Sequence, residues 1–148
     1  MQMKKMLSYV AVAAVASGAT FAVANKQALG PAQAQAPAGQ TSTEVFKQVM
    51  TDVMGRHLIV RLTERDPGNG SAAHRHPGSH TVGYILEGTY EVKIDDGPVR
   101  TLKAGDVFYE APNALHAISR NPSTTQKLKY LVIQVYDPSK PGTVPESR

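Results

Sequence analysis

Three of the five histidines in this 148-residue chain fall within seven positions, in the stretch HRHPGSH that begins at His74. Neutral imidazole is a good ligand for Zn, Cu, Fe, Ni and Mn. On an extended strand, residues two apart share a face, so His74 and His76 point the same way. His80 has the same parity, although Pro77-Gly78 interrupts the run. A fourth, His116, follows the Pro112-Asn113 turn, and a barrel could bring it opposite the first three. Four buried imidazoles need partners, so the set reads as a metal site, with solvated loop histidines as the alternative. His57 stands alone in an apolar run and reads as structural. There is no cysteine, which removes thiolate ligands and a cysteine nucleophile. No nucleophile elbow of the Gly-x-Ser-x-Gly type is present.

The elements that must position these residues read as short strands separated by turns. Arg56 to Thr63 is rich in β-branched and apolar residues, and Asp66-Pro67-Gly68-Asn69-Gly70 is a strong turn signal. Thr81 to Leu86 and Thr89 to Ile94 are strand-like runs on either side of Gly88, and Asp95-Asp96-Gly97-Pro98 marks a hairpin. Val99 to Leu102, Val107 to Tyr109, Leu115 to Ser119 and the long run Gln126 to Tyr136 complete the pattern, and Asp137 to Arg148 is a Pro-containing tail. Strands at such spacing predict an all-β sandwich or small barrel. Thr41 to Met54 fits a helix, with Val45, Val49 and Val53 four apart, and fits an edge strand equally well.

The first 36 residues stand apart from that pattern. Met1 to Lys5 carries two lysines, and Leu7 to Ala24 is uncharged and built from small and apolar residues. This reads as a secretory signal peptide, with cleavage after Ala24 or Ala36. An uncleaved anchor is the alternative, since the run is nearly long enough to span a bilayer. An Ala/Gln/Pro spacer extends from Gln27 to Gln40, and residues 37–148 form one domain of usual size. The expected location is periplasmic or secreted, with no membrane insertion once the signal is removed. Lys4, Lys5 and Lys26 lie in the discarded segment, so 16 basic residues less three leave 13 against 12 acidic ones. A nearly neutral domain without a basic stripe argues against nucleic-acid binding.

The motifs resemble those of the cupin superfamily, in particular its small single-domain members. The first cupin motif has a Gly, five residues, His-x-His, three or four residues, then a Glu, and a Gly some way on. Here Gly68, His74, His76 and Gly88 match, and His80 stands in place of the Glu. The second motif matches at Gly105, Pro112 and His116, with Ala114 in place of a glycine and Arg120-Asn121 at its final Asn. The resemblance implies a double-stranded β-helix of jelly-roll type. It also implies one divalent transition metal (Fe, Mn, Cu, Ni or Zn) held by His74, His76, His80 and His116, as in four-histidine cupins.

That ligand set contains no carboxylate. Glu110, between Tyr109 and Ala111-Pro112, is the candidate acid/base at the barrel mouth, with a solvated turn carboxylate as the alternative. Glu87 reads as a surface turn residue. Tyr84 shares the parity of the histidines and would line the pocket or pack in the core. The resemblance implies a mononuclear metal-dependent oxidoreductase or dioxygenase acting on a small organic substrate. A non-catalytic small-molecule-binding or sensor module, and a metal-dependent isomerase or lyase, are the alternatives. Cupins resemble dimers that exchange or pair edge strands, and Gln126 to Tyr136 or the segment from Thr41 could serve in a homodimer.

Overall fold

The computed structural model describes residues 38–147, so the export signal expected at residues 1–36 lies outside the described residues. The described residues form no helix. Eleven strands follow in order: β1 Gln40–Val49, β2 His57–Arg65, β3 Gly70–Ser71, β4 His74–Arg75, β5 Ser79–Glu87, β6 Thr89–Ile94, β7 Arg100–Lys103, β8 Val107–Glu110, β9 Leu115–Arg120, β10 Leu128–Tyr136 and β11 Val144–Pro145. One sheet has the order β1-β2-β10-β5-β8, and the other runs β11-β4-β9-β6-β7 with β3 also on β9. Each pairing is antiparallel, which confirms the all-β reading and the double-stranded β-helix.

The segment from Thr41 resolves to the edge strand β1, followed by a turn. Nine of its ten residues are exposed. The helix alternative needed a surface on which Val45, Val49 and Val53 could be buried, and the fold offers none: these side chains are 54, 56 and 43% exposed. Backbone pairing with β2 decides the conformation instead.

Between the sheets, Ile85, Tyr90, Val92, Leu102, Phe108, Leu128 and Tyr130 form one buried cluster. The alternation of β5 and β10 aims one side of each strand into this cluster. Gly83 is there because Phe108 is: a Cβ at Gly83 would fall within the Phe108 ring. Gly88, between β5 and β6, combines a φ of +80° with a close approach to the Lys127 carbonyl, and only glycine meets both conditions. Asn121 is buried, and its side-chain amide donates to the carbonyls of Asp66 and Gln126, tying the ends of β2, β9 and β10 together.

Candidate metal centre

His74 and His116 are brought together by the β4–β9 ladder, where they are direct cross-strand partners. Their rings lie 5.0 Å apart, and the His76 ring lies 4.9 Å from that of His74. One nitrogen from each of His74, His76 and His116 falls within 4.8 Å of the other two, close enough for all three to hold a single metal ion.

The hydrogen bonds around these rings leave lone pairs facing one another. His74 Nδ1–H donates to the Ala72 carbonyl at 2.8 Å, and His76 Nδ1–H to the Gly142 carbonyl at 2.6 Å. Each bond fixes a tautomer whose Nε2 is a bare acceptor, the arrangement found behind metal-ligating histidines. Burial is the main cause that lowers the His74 pKa to about 4, with the neighbouring His116 and His76 adding to it. His74 is therefore neutral at pH 7. On the far side, Tyr90 Oη lies 3.2 Å from His116 Nε2 and 2.7 Å from Ser119 Oγ. Burial raises the Tyr90 pKa well above that of an ordinary phenol. The phenol thus stays protonated, so it can donate to one of these two partners while accepting from the other.

His80 does not join them. Ser79 N–H donates to the His76 carbonyl at 3.2 Å, closing a tight turn over residues 76–79. That turn resets the parity of the strand. In β5 the odd-numbered Ser79, Thr81 and Ile85 are buried, while His80 is exposed on the opposite face. His80 Nδ1 sits 2.8 Å from the Tyr109 hydroxyl. Tyr84 shares the fate of His80 and is 40% exposed on the outer face, in neither the pocket nor the core.

Glu110, rather than His80, stands beside the three histidines. It is 2% exposed, its Oε1 lies 3.1 Å from His116 Nδ1, and its Oε2 lies 3.9 Å from His76 Nε2. Oε2 has no hydrogen-bond partner. Burial pushes the Glu110 pKa up most, but the His116 hydrogen bond and the three imidazoles together outweigh burial and hold it below the ordinary value. An ionised, buried carboxylate whose unused oxygen lies 3.9 Å from His76 Nε2, beside the three-histidine cluster, fits a divalent transition metal. Glu110 lies inside the cluster, not at a solvated rim. The signal that would have found it is the four-residue version of the first motif's spacing. That version lands on Thr81, and the cross-strand partner of Thr81 is Glu110.

His57 stands apart, as expected, edge-on to the Tyr136 ring with centroids 5.5 Å apart. The Glu87 side chain is 70% exposed and lies 3.7 Å from Lys129.

The C-terminal tail is part of the centre. After β10 the chain turns back, and β11 pairs with β4, placing Val144 opposite Arg75 and Pro145 opposite His74. Glu146 N–H donates to the Ala73 carbonyl at 2.9 Å. Arg75 clamps Glu146 bidentately, Nε to Oε2 at 2.7 Å and Nη2 to Oε1 at 3.0 Å. This strap carries the Gly142 carbonyl that orients His76.

A cupin-domain family model matches residues 61–134, a span that holds all three clustered histidines and Glu110. Among solved structures, the chain is similar to an uncharacterized conserved protein with a double-stranded β-helix domain from Klebsiella pneumoniae subsp. pneumoniae MGH 78578. The identity is 18% and the TM-score 0.59, over 77% of this chain and 90% of that one. The TT1209 protein of Thermus thermophilus is 26% identical at a TM-score of 0.55, over 68% of this chain and 87% of that one. The DMSP lyase DddQ from Ruegeria pomeroyi DSS-3 is 23% identical at a TM-score of 0.53, over 62% of this chain and 45% of that one. No curated protein matches the chain. With the family match spanning half the chain and the barrel it calls for in place, the chain belongs to the cupin family.

Proposed function

We propose that this protein is an exported metal-binding cupin whose centre is His74, His76, His116 and Glu110, and that it acts as a mononuclear metal-dependent oxidoreductase on a small organic substrate. The observation that carries this reading is Glu110 Oε2, a buried carboxylate oxygen without a hydrogen-bond partner, 3.9 Å from His76 Nε2 and beside the three-histidine cluster. Three neutral imidazoles and one carboxylate leave a divalent ion with one net positive charge. An ion so held supplies Lewis-acid and, if redox-active, electron-transfer chemistry to a substrate oxygen.

The chain's own residues set the conditions. His74 and His76 are held in the ligating tautomer by backbone carbonyls, so no proton must be expelled from Nε2 before binding. Glu110 neutralises part of the charge and is shielded from water. Tyr90 holds the far side of His116. A lyase or isomerase is the second reading. It is favoured by the same carboxylate, which in a site without redox chemistry would be placed to move a proton.

The test begins with metal-free protein titrated calorimetrically with Mn(II), Fe(II), Ni(II), Cu(II) and Zn(II), followed by oxygen-uptake measurements on the loaded forms with phenolic and dicarbonyl compounds. Stoichiometric binding with oxygen uptake in a redox-active form supports the oxidoreductase. Binding without turnover on any substrate overturns it and leaves a binding module. The periplasmic location rests on the N-terminal sequence, and N-terminal sequencing of the protein from a periplasmic extract tests it.

A further inference from the structure

Charge inside the barrel is out of balance. On β2 the odd-numbered Ile59, Thr63 and Arg65 are buried, so Arg61, between them, projects to the same side. Arg65 has each of its three nitrogens engaged by a neutral acceptor. Nε donates to Tyr130 Oη at 3.1 Å, Nη2 to Ser71 Oγ at 2.7 Å and Nη1 to the Ser119 carbonyl. Arg61 is half-buried, and among the described residues its side chain makes one hydrogen bond, from Nη1 to Gln134 Oε1 at 2.7 Å. No ion pair holds it among the described residues. Glu44, its cross-strand partner on β1, is exposed. Arg61 and Arg65 thus stand against one buried carboxylate, that of Glu110.

Gln134 sets Arg61 at the level of the histidine cluster. Gln134 stands opposite Thr81, and Thr81 opposite Glu110, so the three form one row across β10, β5 and β8. Thr81 and Gln134 are buried, and Gln134 Nε2 donates to Thr81 Oγ1 at 3.1 Å, which turns Oε1 toward Arg61. β10 and β8 are two strand spacings apart, about 10 Å. Along that row only the neutral side chains of Gln134 and Thr81 lie between the guanidinium and Glu110. With Nη1 spent on Gln134, Arg61 keeps its Nε/Nη2 edge, the fork that grips a carboxylate bidentately. An anion there offsets the cost of a half-buried cation without a partner. We propose that Arg61 is the carboxylate-binding residue of this site and that the substrate is a small organic acid. One end carries an oxygen for the centre at His74, His76, His116 and Glu110, and a carboxylate a few carbons away sits on Arg61. The first end rests on the metal reading above; the Arg61 end does not.

The test is calorimetric titration of the metal-loaded and the metal-free protein with pyruvate, acetoacetate and levulinate, each beside its neutral amide. The amide keeps the carbonyl and lacks the charge. The wild type is expected to bind at least one acid ~10-fold or more tightly than its amide. Arg61→Gln should abolish that preference, with metal stoichiometry and the far-UV spectrum unchanged. Should Arg61→Gln fail to fold, Arg61→Met, of similar length and without a polar group, asks the same question. The two readings fail separately. A wild type that takes up no metal yet prefers an acid, with the preference lost in Arg61→Gln, sinks the metal centre and supports Arg61. No acid preferred over its amide overturns the proposal. So does a preference that the Arg61 variants retain, because the carboxylate is then held elsewhere. Inorganic phosphate is titrated in parallel, and tighter binding of phosphate than of every acid also overturns it.

Discussion

Glu110→Gln separates the two roles a buried carboxylate can have, because it should move folding stability and metal affinity in opposite directions. In the metal-free protein Glu110 Oε2 has no partner and is out of water. A buried polar atom left unpaired costs about 1–3 kcal/mol, more when it is charged. The glutamine amide has nearly the same shape. Its oxygen can accept from His116 Nδ1–H at the position of Oε1, 3.1 Å away. Its NH2 group then occupies the position of Oε2, facing His76 Nε2. That nitrogen is a bare acceptor, since its partner Nδ1–H is spent on Gly142. The substitution therefore supplies a donor where the wild type has two acceptors, and it should stabilise the metal-free fold by about 1–2 kcal/mol. Metal binding should weaken. A unit charge about 4 Å from a second is worth roughly 4 kcal/mol at an effective dielectric constant of 20. Even with part of that offset by desolvation, a loss of ~3 kcal/mol is ~100-fold in Kd. The assay is paired: urea denaturation of the metal-free proteins, and calorimetric titration with Zn(II) or Mn(II). A variant that is less stable without metal and binds metal like wild type would refute the reasoning and make Glu110 a structural partner of His116 alone.

Other substitutions test the remaining geometry. His76→Ala should lower metal content severalfold. His80→Ala should leave it unchanged and shift stability by less than ~1 kcal/mol, as for an exposed residue; loss of metal in the latter would return His80 to the site. Arg75→Gln or Glu146→Gln should free the strap. It should speed removal of metal by a chelator about 10–100-fold, as loss of support behind a ligand does, and the charge-swapped pair should recover part of the loss. Unchanged chelation kinetics would deny the strap any role at the centre. Gly83→Ala forces a methyl group into the Phe108 ring and should destabilise the fold by ~2–3 kcal/mol in urea denaturation.

The period-two spacing of His74 and His76, and the return of His116 after a turn, were enough to read the three clustered histidines from sequence, because both depend on local geometry that the ladder keeps. The same rule failed at His80. It assumes an uninterrupted strand, and the turn at residues 76–79 changes which residues face inward. Glu110 was legible as chemically active but not as a member of the cluster, since its place depends on the register between β5 and β8. The tail read as an appendage. Its anchor is an ion pair between residues 71 apart, invisible to any local pattern. β1 stayed undecided between helix and strand because nearly all of it is exposed, so no apolar periodicity was imposed on it.

The central claim is that His74, His76, His116 and Glu110 form a metal centre. Elemental analysis of untagged protein purified from the periplasm tests it most directly, with the metal-stripped protein re-titrated in parallel. The expected result is about one equivalent of a single divalent transition metal per chain, or uptake of one equivalent on reconstitution, and loss of both in a His74→Ala/His76→Ala double variant that still folds. No metal as purified and none taken up on reconstitution would contradict it.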